Sequence, residues 1–352
     1  MKLLSIISPF HNSLYKCERL LKTLEKIDDP AVELILVDDG SSDGTGDRLS
    51  VFQATARTRT LLVRQDNRGP GGARNHGLSL ASGEYVWFVD SDDDINPEAI
   101  AELKRVADQK YDFIDFNLFA RGEAINTMGL PPGEYSPSSC ERRELINKLG
   151  RIPAKILRRS FVVNNNLFYP EFCLYEDNPY EFIYPFWICR FYKSGVVAYY
   201  YHEEHDSVTR GSLTPRYFDR MYTAIYGFVR VVEMASPEER VLLERKFINL
   251  YLFNTVARQI YKNPGSSWLT ALRVMRQYRD VAKSLEISAS PLKIFAGNYK
   301  ARSLFYLLWG ASFCLSSQED YFEQLRLKAW GCQFSSPDTD DDKFLEVVSS
   351  GH

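Results

Sequence analysis

The sequence predicts an α/β fold, a mixed, mostly parallel sheet flanked by helices, with an added C-terminal helical region. Short apolar runs without polar alternation predict strands that are buried on both faces. Segments with helical spacing separate these runs, and such alternation is typical of parallel βαβ units. We predict a sheet domain over residues 1–215, a helical region over 216–334 and a mobile acidic tail over 335–352.

The elements of the predicted sheet domain follow in chain order. The predicted strands cover residues 3–8, 32–37, 61–63, 85–89, 113–119 and 196–201. Helices are expected between them, the clearest over residues 97–107, where Pro97 can occupy the first helical position without losing a hydrogen bond. Residues 120–139 are rich in Gly and Pro and are predicted to form a loop, and the aromatic residues 180–191 are predicted to form a helix.

An acidic cluster follows the strand predicted at residues 85–89. Four of the five residues from Asp90 to Asp94 are acidic. Like charges this close repel one another unless solvent or a cation offsets them, so the cluster is either a solvated turn or a metal site. It does not fit an EF-hand calcium loop, which needs Gly where this chain has Ile95 and Glu where it has Ala101.

A second acidic pair, Asp38 and Asp39, follows the second predicted strand in the same way. In open α/β sheets, ligands bind where the carboxyl ends of parallel strands meet at one edge. The two acidic clusters together therefore predict a ligand site at this edge more strongly than either does alone.

Gly69, Gly71 and Gly72 form a Gly-rich turn after the third predicted strand. A dinucleotide-binding GxGxxG would need glycine at position 74, where the chain has Arg74, and would follow the first strand. The sequence has no Walker A loop. A Gly-rich helix start followed by arginine can still bind a phosphate through backbone N–H groups and the guanidinium.

The composition excludes several classes of protein. The 43 Lys and Arg residues nearly balance 46 Asp and Glu residues, so the net charge of -3 gives no general attraction to nucleic acid. Six cysteines without a CxxC pair argue against a zinc site or a disulfide framework and suit a reducing compartment. Neither a signal peptide nor an apolar stretch long enough to span a membrane is visible, so we expect a cytoplasmic location.

Four motifs occur in a fixed order: SPFHN at 8–12, ELILVDDGSSDGT at 33–45, DNRGPGGARNHGLSLASGEYVWFVDSDD at 66–93 and LYEDN at 174–178. Together they resemble the inverting family 2 glycosyltransferases, which have the Rossmann-like GT-A fold. His11 departs from the pattern, since many relatives have tyrosine there. The resemblance implies a hexosyltransferase of bacterial polysaccharide or glycan synthesis. It would transfer a sugar from a UDP-sugar to a hydroxyl of a glycan or lipid-linked acceptor.

The resemblance also implies the donor site. Asp39 or its neighbour Asp38 would accept a hydrogen bond from the uracil N–H, and Asp90 and Asp92 would form a DxD pair. Their hard oxygens suit Mg²⁺ or Mn²⁺, with Asp92 favoured as the direct ligand. The implied donor-binding residues are Pro9, Phe10, His11, Asn12, Asp38, Asp39, Arg74, Asn75, Asp90, Ser91 and Asp92.

Catalytic and acceptor-side residues follow from the same resemblance. Asp177, with Glu176 beside it, would take the proton of the acceptor hydroxyl as general base, although two acids before a helix can also cap it. His205, with His202, is a candidate for metal or diphosphate contact. The basic group Lys155, Arg158 and Arg159 either contacts an anionic acceptor or, as we favour, forms a solvated face.

Two other functions stay open at this stage. A sugar-nucleotide pyrophosphorylase also uses a Gly-rich turn and an acidic metal site, but it gives no role to a base at Asp177. A non-catalytic nucleotide-sugar-binding protein has no need of that base either. The basic, aromatic-rich residues 268–330 suit a packed helical bundle or, alternatively, peripheral contact with an anionic membrane at its inner face.

Overall fold

The computed structural model describes residues 2–149, 152–202, 214–256, 268–294, 299–315 and 321–330. The chain divides into two compact units, the first formed by residues 1–172 and 187–207 and the second by residues 173–186 and 208–352. The domain boundary at residue 215 stays a prediction, and the tail expected at 335–352 lies outside the described residues.

The first unit is built on a ten-stranded sheet. Its strands are β1 (Lys2–Phe10), β2 (Val32–Asp39), β3 (Thr60–Gln65), β4 (Gly83–Phe88), β5 (Asp94–Ile95), β6 (Phe113–Ala120), β7 (Glu123–Asn126), β8 (Gly133–Tyr135), β9 (Lys155–Arg158) and β10 (Phe191–Tyr200). The main order is β3-β2-β1-β4-β9-β6-β10-β5. The first four strands of this order are parallel, as are β6 and β10, whereas β9 is antiparallel to both its neighbours. This mixed α/β sheet confirms the predicted fold class.

Six helices accompany the described part of this sheet: α1 (Glu18–Leu24), α2 (Thr45–Thr55), α3 (Gly69–Leu80), α4 (Glu98–Val106), α5 (Ser139–Lys148) and α6 (Arg159–Asn164). Apolar residues at helical spacing face the sheet, as Ala99, Ile100, Leu103 and Val106 do in α4. On α3, a Cβ atom at Gly77 would lie 2.4 Å from Ile7 Cγ2. Glycine is therefore required where α3 approaches β1.

Two sequence-based predictions for residues 120–191 are wrong. Residues 120–139 contain the strands β7 and β8 rather than only a loop. The helix predicted to reach residue 191 ends at Trp187, and β10 begins at Phe191, because Phe191 pairs with Phe113 in a parallel ladder with β6. Short aromatic runs suit either a helix or a strand, and here the long-range pairing decides.

Lys155 does not belong to a solvated basic face, so that prediction is also wrong. Its ammonium lies 2.8 Å from Asp115, and Lys193 approaches the other oxygen of the same carboxylate at 3.0 Å. All three side chains are buried, in register across β9, β6 and β10. Arg158 instead pairs with Asp112 at 2.6 Å. The pattern of basic residues did not reveal that Asp115 on β6 and Asp112, just before β6, bind them.

The second unit is helical. Its described helices are α7 (Tyr180–Trp187, whose last residue belongs to the first unit), α8 (Asp219–Val229), α9 (Pro237–Phe247), α10 (Trp268–Ser284), α11 (Pro291–Ile294), α12 (Tyr299–Ala311) and α13 (Tyr321–Trp330). Every residue of α8 is buried. Ring contacts join Phe228 of α8 to Phe247 of α9 at 5.1 Å, and Phe218 to Phe322 of α13 at 4.7 Å. A helix without an exposed face forms the centre of its unit, and the predicted C-terminal helical region is confirmed.

One predicted helix of this region differs from the structure in its form. The Ser-Pro-Glu-Glu pattern at residues 236–239 predicts a capping box that opens a helix to about residue 262. The helix begins with that capping box but becomes π-helical over Ile248–Phe253, and residue 262 lies outside the described residues. Residues 291–315 are likewise predicted to be helical, and the described part is helical over Pro291–Ile294 and Tyr299–Ala311 with a final 3₁₀ turn, while residues 295–298 lie outside the described residues. No helix within the described ranges is long and apolar enough to cross a membrane.

The buried Lys155–Asp115–Lys193 cluster gives a stability prediction. Asp115→Asn leaves two buried ammonium groups without their counter-charge and should lower the free energy of unfolding by about 3–5 kcal/mol. Lys193→Met leaves one matched ion pair and should change it by about 1 kcal/mol or less. Urea unfolding of both variants measures the difference, and equal losses would contradict the charge imbalance.

The same cluster predicts a pH dependence. Burial lowers the pKa of Lys193 from its usual 10.5. Since the unfolded chain then binds the proton more tightly, the stability of the wild type should rise relative to Lys193→Met as the pH increases toward about 10.5. A pH-independent difference between the two proteins would contradict this sign.

Candidate functional site

The carboxyl ends of β1, β2 and β4 lie side by side in the first unit. Phe10 pairs with Asp38 in the parallel ladder between β1 and β2, and β4 pairs with β1 on its other side. The loops that follow β1 and β4 meet where the Oγ atoms of Ser13 and Ser91 are 3.1 Å apart. The sequence motifs at the three strand ends therefore form one cluster at one edge of the sheet.

Asp39 is held in a fixed orientation at this edge. Its Oδ1 atom accepts hydrogen bonds from Gln65 Nε2 at 2.8 Å and from the Arg68 backbone N–H at 2.9 Å. His76 Nδ1 donates to Gln65 Oε1 at 2.7 Å, which fixes the end of the amide that faces Asp39. Burial raises the pKa of Asp39, and the two donors oppose this shift. The result is a nearly buried, oriented hydrogen-bond acceptor.

Asp38 has a different role, because successive strand residues point to opposite faces of the sheet. Its Oδ1 atom accepts a hydrogen bond from the Ser41 N–H at 2.9 Å, and its Oδ2 atom lies 3.5 Å from Arg64 Nε. A Cβ atom at position 46 would come within 2.7 Å of that Oδ2, so Gly46 makes room for the carboxylate. Asp38 therefore anchors the loop after β2, and the geometry favours Asp39 as the acceptor for a ligand.

The loop after β1 presents His11 and Asn12 on the surface. His11 Nδ1 donates to the Asp39 carbonyl at 2.8 Å, so its Nε2 atom accepts, with Asn67 Nδ2 at 3.3 Å. Pro9 and Phe10 are buried, and the Phe10 ring belongs to the core. The edge is therefore formed by the side chains of His11 and Asn12 and by the backbone before them.

Arg74, in α3, pairs with the first acid of the DxD motif. Its Nη2 atom lies 2.5 Å from Asp90 Oδ1, and its guanidinium lies 5.2 Å from the centre of the Tyr169 ring. The arginine side chain is only 8% exposed. This burial strengthens the ion pair, because water screens it less. Arg74 thereby compensates the charge of Asp90 and fixes the start of the acidic cluster.

Asn75, the neighbour of Arg74, binds the chain rather than facing the sheet edge. Its Nδ2 atom donates to the Tyr169 carbonyl at 2.7 Å, and its Oδ1 atom accepts from the Tyr169 N–H at 2.9 Å. A Cβ atom at Gly71 would lie 2.1 Å from the Pro170 carbonyl oxygen. The glycine turn and Asn75 thus pin the first half of α3 to residues 169–170.

The acids of the DxD loop differ in their surroundings. Asp93 is buried and accepts hydrogen bonds from the Tyr199 hydroxyl at 2.7 Å and the His202 N–H at 2.8 Å. Burial, followed by the charges of Asp90 and Asp92, raises the pKa of Asp93 to about 8. Asp90 and Asp92 are partly exposed. Among the residues that the structure describes, no group of three or more His, Cys, Asp or Glu side chains is arranged to hold a metal.

The predicted catalytic acids lie in the second unit. Residues 173–179, which we call the acidic loop, precede α7 and carry Glu176, which is buried, and Asp177, which is partly buried. Tyr175 has a left-handed backbone with φ of 64°, and the Asp177 carbonyl accepts a hydrogen bond from the Tyr180 N–H at 3.1 Å. The loop is therefore a defined turn. His205 lies outside the described residues, while His202 contacts Asp93 through its backbone N–H.

Sequence reasoning missed three supporting residues of the sheet edge. Gln65 orients Asp39, Tyr199 orients Asp93, and Glu171 forms an ion pair with Arg68 beside the glycine turn. Gln65 ends β3 directly opposite Asp39 in the parallel ladder, so a correct strand register would have identified it. Tyr199 and Glu171 come from distant segments and carry no local signal.

Comparison with known families decides the classification of the first unit. Residues 5–167 match the model described as glycosyl transferase family 2. That range includes Asp39, Arg74 and the DxD loop. The chain contains a family 2 glycosyltransferase domain. This classification favours the transferase interpretation over the pyrophosphorylase and the non-catalytic binding protein.

Individual relatives of the family 2 domain come from bacterial glycan synthesis. The poly(ribitol-phosphate) beta-N-acetylglucosaminyltransferase TarS of Staphylococcus aureus is 30% identical over 171 residues, which are 47% of this chain and 29% of TarS. The GalNAc(5)-diNAcBac-PP-undecaprenol beta-1,3-glucosyltransferase of Campylobacter jejuni is 28% identical over 263 residues, covering 70% of this chain and 78% of that protein. The match thus spans less than a third of the length of TarS.

Solved structures show the same fold. The crystal structure of S. aureus TarS 1–349 in complex with UDP-GlcNAc matches with a TM-score of 0.66 at 20% identity, covering 94% of this chain and 92% of that one. TarS 1–349 alone matches with a TM-score of 0.61. The family 2 domain therefore has the GT-A fold that the sequence predicted.

Proposed function

We propose that this protein is a metal-dependent inverting glycosyltransferase that moves a sugar from a UDP-sugar to a hydroxyl of a glycan or lipid-linked acceptor. The observation that carries the proposal is the meeting of Asp39, Arg74 and the Asp90–Asp92 pair at one edge of a family 2 domain. Such a donor requires an oriented acceptor for its base and a pair of hard carboxylates for the cation that binds its diphosphate.

The uracil of the donor would bind at Asp39. The ring N–H of uracil needs an acceptor, and Asp39 is the oriented carboxylate at the sheet edge. His11 and Asn12 lie beside it on the loop after β1 and would contact the base and ribose. TarS was crystallised with UDP-GlcNAc, which supports a UDP-sugar as donor without identifying the sugar.

The DxD pair suits a hard divalent cation. Arg74 pairs with Asp90, and the partly exposed Asp92 would be the direct ligand, with a diphosphate and water completing the coordination. The chemistry that a bound Mg²⁺ or Mn²⁺ would supply is charge compensation of the UDP leaving group. Arg74 holds Asp90 in place.

Asp177 would act as the general base. An inverting transfer needs one carboxylate that takes the proton of the acceptor hydroxyl as that oxygen attacks the anomeric carbon. Asp177 is more exposed than Glu176 in the acidic loop, so it is the acid more accessible to an acceptor. The role of His205 in metal or diphosphate contact, the cytoplasmic location and the membrane contact at the inner face are further parts of this proposal.

The acceptor that we propose is anionic. The names of two relatives include a ribitol phosphate polymer and a PP-undecaprenol carrier. In this chain an open groove of about 630 Å³ lies along α1. Its lining has four basic residues, Lys16, Arg19, Lys22 and Lys26, against two acids, Glu18 and Asp94, and includes the exposed Tyr15. Arg19 donates to the Asp92 carbonyl at 3.1 Å, so this basic groove borders the DxD loop.

The first prediction from this proposal concerns the metal. EDTA should abolish sugar transfer and Mn²⁺ or Mg²⁺ should restore it, and Asp92→Asn should weaken UDP binding in the presence of Mn²⁺ but not in EDTA. Asp94→Asn is the matched control, because Asp94 directly follows the DxD loop, at the start of β5, and its carboxylate accepts a hydrogen bond from the N–H of Ile95. Calorimetric titration of UDP measures both. Full activity in chelator would exclude the metal site.

A second prediction concerns the base. Asp177→Asn preserves the shape of the side chain but cannot take a proton, so kcat should fall by about 10²–10⁴-fold while UDP affinity changes little. Glu176→Gln should cost less, because only one of two successive side chains can face the acceptor. Steady-state UDP release measures kcat. An inactive Glu176→Gln variant together with an active Asp177→Asn variant would show that Glu176, and not Asp177, is the base.

The third prediction concerns the basic groove. Lys22→Glu combined with Lys26→Glu should raise KM for a phosphate-bearing acceptor by about tenfold at low salt, with UDP affinity unchanged. The effect should shrink at high salt, because ions screen exposed charges. The charge-matched control combines Lys148→Glu with Lys283→Glu, neither of which lines the groove. An equal rise of KM in the control would show a general charge effect and contradict acceptor binding in the groove.

A further inference from the structure

The acidic loop lies along one stripe of α8. Asp219, Thr223 and Gly227 are spaced by four residues and so share one face of this helix. Asp219 Oδ2 accepts a hydrogen bond from the Leu174 N–H at 2.9 Å. The Asn178 amide approaches Thr223 Oγ1 at 3.3 Å. The loop is therefore held on both sides of Glu176 and Asp177.

Glycine at position 227 permits this close approach. A Cβ atom there would lie 2.8 Å from Pro179 Cα and 2.7 Å from Phe182 Cδ2. Backbone cannot yield as a flexible side chain can, so any larger residue would push the end of the acidic loop away from α8. The loop and the helix thus fit each other over two turns.

Arg220 fixes the residue before the two acids. Its guanidinium lies 4.1 Å from the centre of the Tyr175 ring and 4.3 Å from the centre of the Tyr217 ring. Stacking of this kind needs a planar cation, which lysine does not provide. Since Tyr175 has the strained positive φ, the stack helps to hold the backbone conformation that presents Glu176 and Asp177.

The charge that anchors the loop is balanced from α13, more than a hundred residues later in the chain. Arg326 Nε donates to Asp219 Oδ1 at 2.8 Å, and Trp330 Nε1 donates to Asp219 Oδ2 at 3.0 Å. The side chains of Asp219 and Arg326 are both fully buried. Burial raises the pKa of Asp219, and the charge of Arg326 opposes this. Removing the arginine would leave a buried carboxylate without its cation, which is strongly unfavourable.

We propose that Asp219, Arg220 and Arg326 are positioning residues for the acidic loop, and that α13 completes this support. This inference rests on the proposed role of Asp177 as base. It gives the C-terminal helices a function in the reaction: they set the geometry of a carboxylate that must lie within hydrogen-bond reach of the acceptor hydroxyl. A displacement of about 1 Å in such a group can cost about 10²-fold in rate.

The test compares Arg326→Met, Arg326→Lys and the double variant D219N/R326Q in the full chain. Arg326→Met should lower kcat by about tenfold to hundredfold, with KM for the UDP-sugar and affinity for UDP within about twofold. The double variant replaces the ion pair by an amide pair that still accepts from the Leu174 N–H, so it should recover most of the lost kcat. The kcat of Arg326→Lys, which keeps the charge, should lie between those of the other two variants. Arg326→Lys also provides a folded variant if Arg326→Met is unstable.

Arg273→Met is the matched control, because Arg273 stacks on Tyr321 of the same helix at 4.1 Å without touching Asp219. Hydrogen exchange of a peptide over 173–179 is the second measurement, and it should accelerate in Arg326→Met only. The inference would be overturned if hydrogen exchange over 173–179 is unchanged in Arg326→Met. It would also be overturned if Arg273→Met loses as much kcat as Arg326→Met, or if Arg326→Met loses as much UDP affinity as kcat. If Arg326→Met exchanges faster over 173–179 but the wild type transfers no sugar, the proposed function is refuted, whereas the support of the acidic loop by α13 stands.

Discussion

The parallel pairing of β1 with β2 on one side and β4 on the other is the constraint on which the candidate site depends. It brings three strand ends to one edge, and with them His11, Asp39 and Asp90. Concentrating acids in this way is unfavourable unless each is compensated. Asp39 receives hydrogen bonds from Gln65 and the Arg68 backbone, Asp90 is paired with Arg74, and Asp93 binds Tyr199. Asp92 is a partly exposed carboxylate at the same edge, and we propose that a cation carrying the diphosphate binds there.

The parts of this arrangement that could be predicted from the sequence are those with local signals. Buried apolar runs ending in acids mark β2 and β4, and a Gly-rich turn marks the start of α3, so the fold and the strand-end motifs could be predicted from the sequence. The motif around Glu176 and Asp177 was recognisable for the same reason.

Features that depend on the register between distant segments could not be predicted from the sequence. Whether Asp38 or Asp39 faces a ligand depends on which face of β2 each occupies, and Asp38 proves to anchor its own loop through Ser41. Lys155 looked like a surface cation because its partner Asp115 lies forty residues earlier in the chain, on a strand that pairs with it in the sheet. The support of the acidic loop by α8 and Arg326 likewise joins segments that no sequence window contains together.

The central claim, that Asp39 receives the base of a uridine nucleotide, is tested most directly by calorimetric titration of the wild type with UDP and with CDP in the presence of Mn²⁺. Uracil offers a ring N–H to the Asp39 carboxylate, whereas cytosine offers an acceptor at the same ring position and would leave the buried carboxylate facing a lone pair. A site that is built to hydrogen-bond one group strongly rejects a ligand that lacks this group. UDP should therefore bind at least about 10²-fold more tightly than CDP. Equal affinities for UDP and CDP would contradict the account.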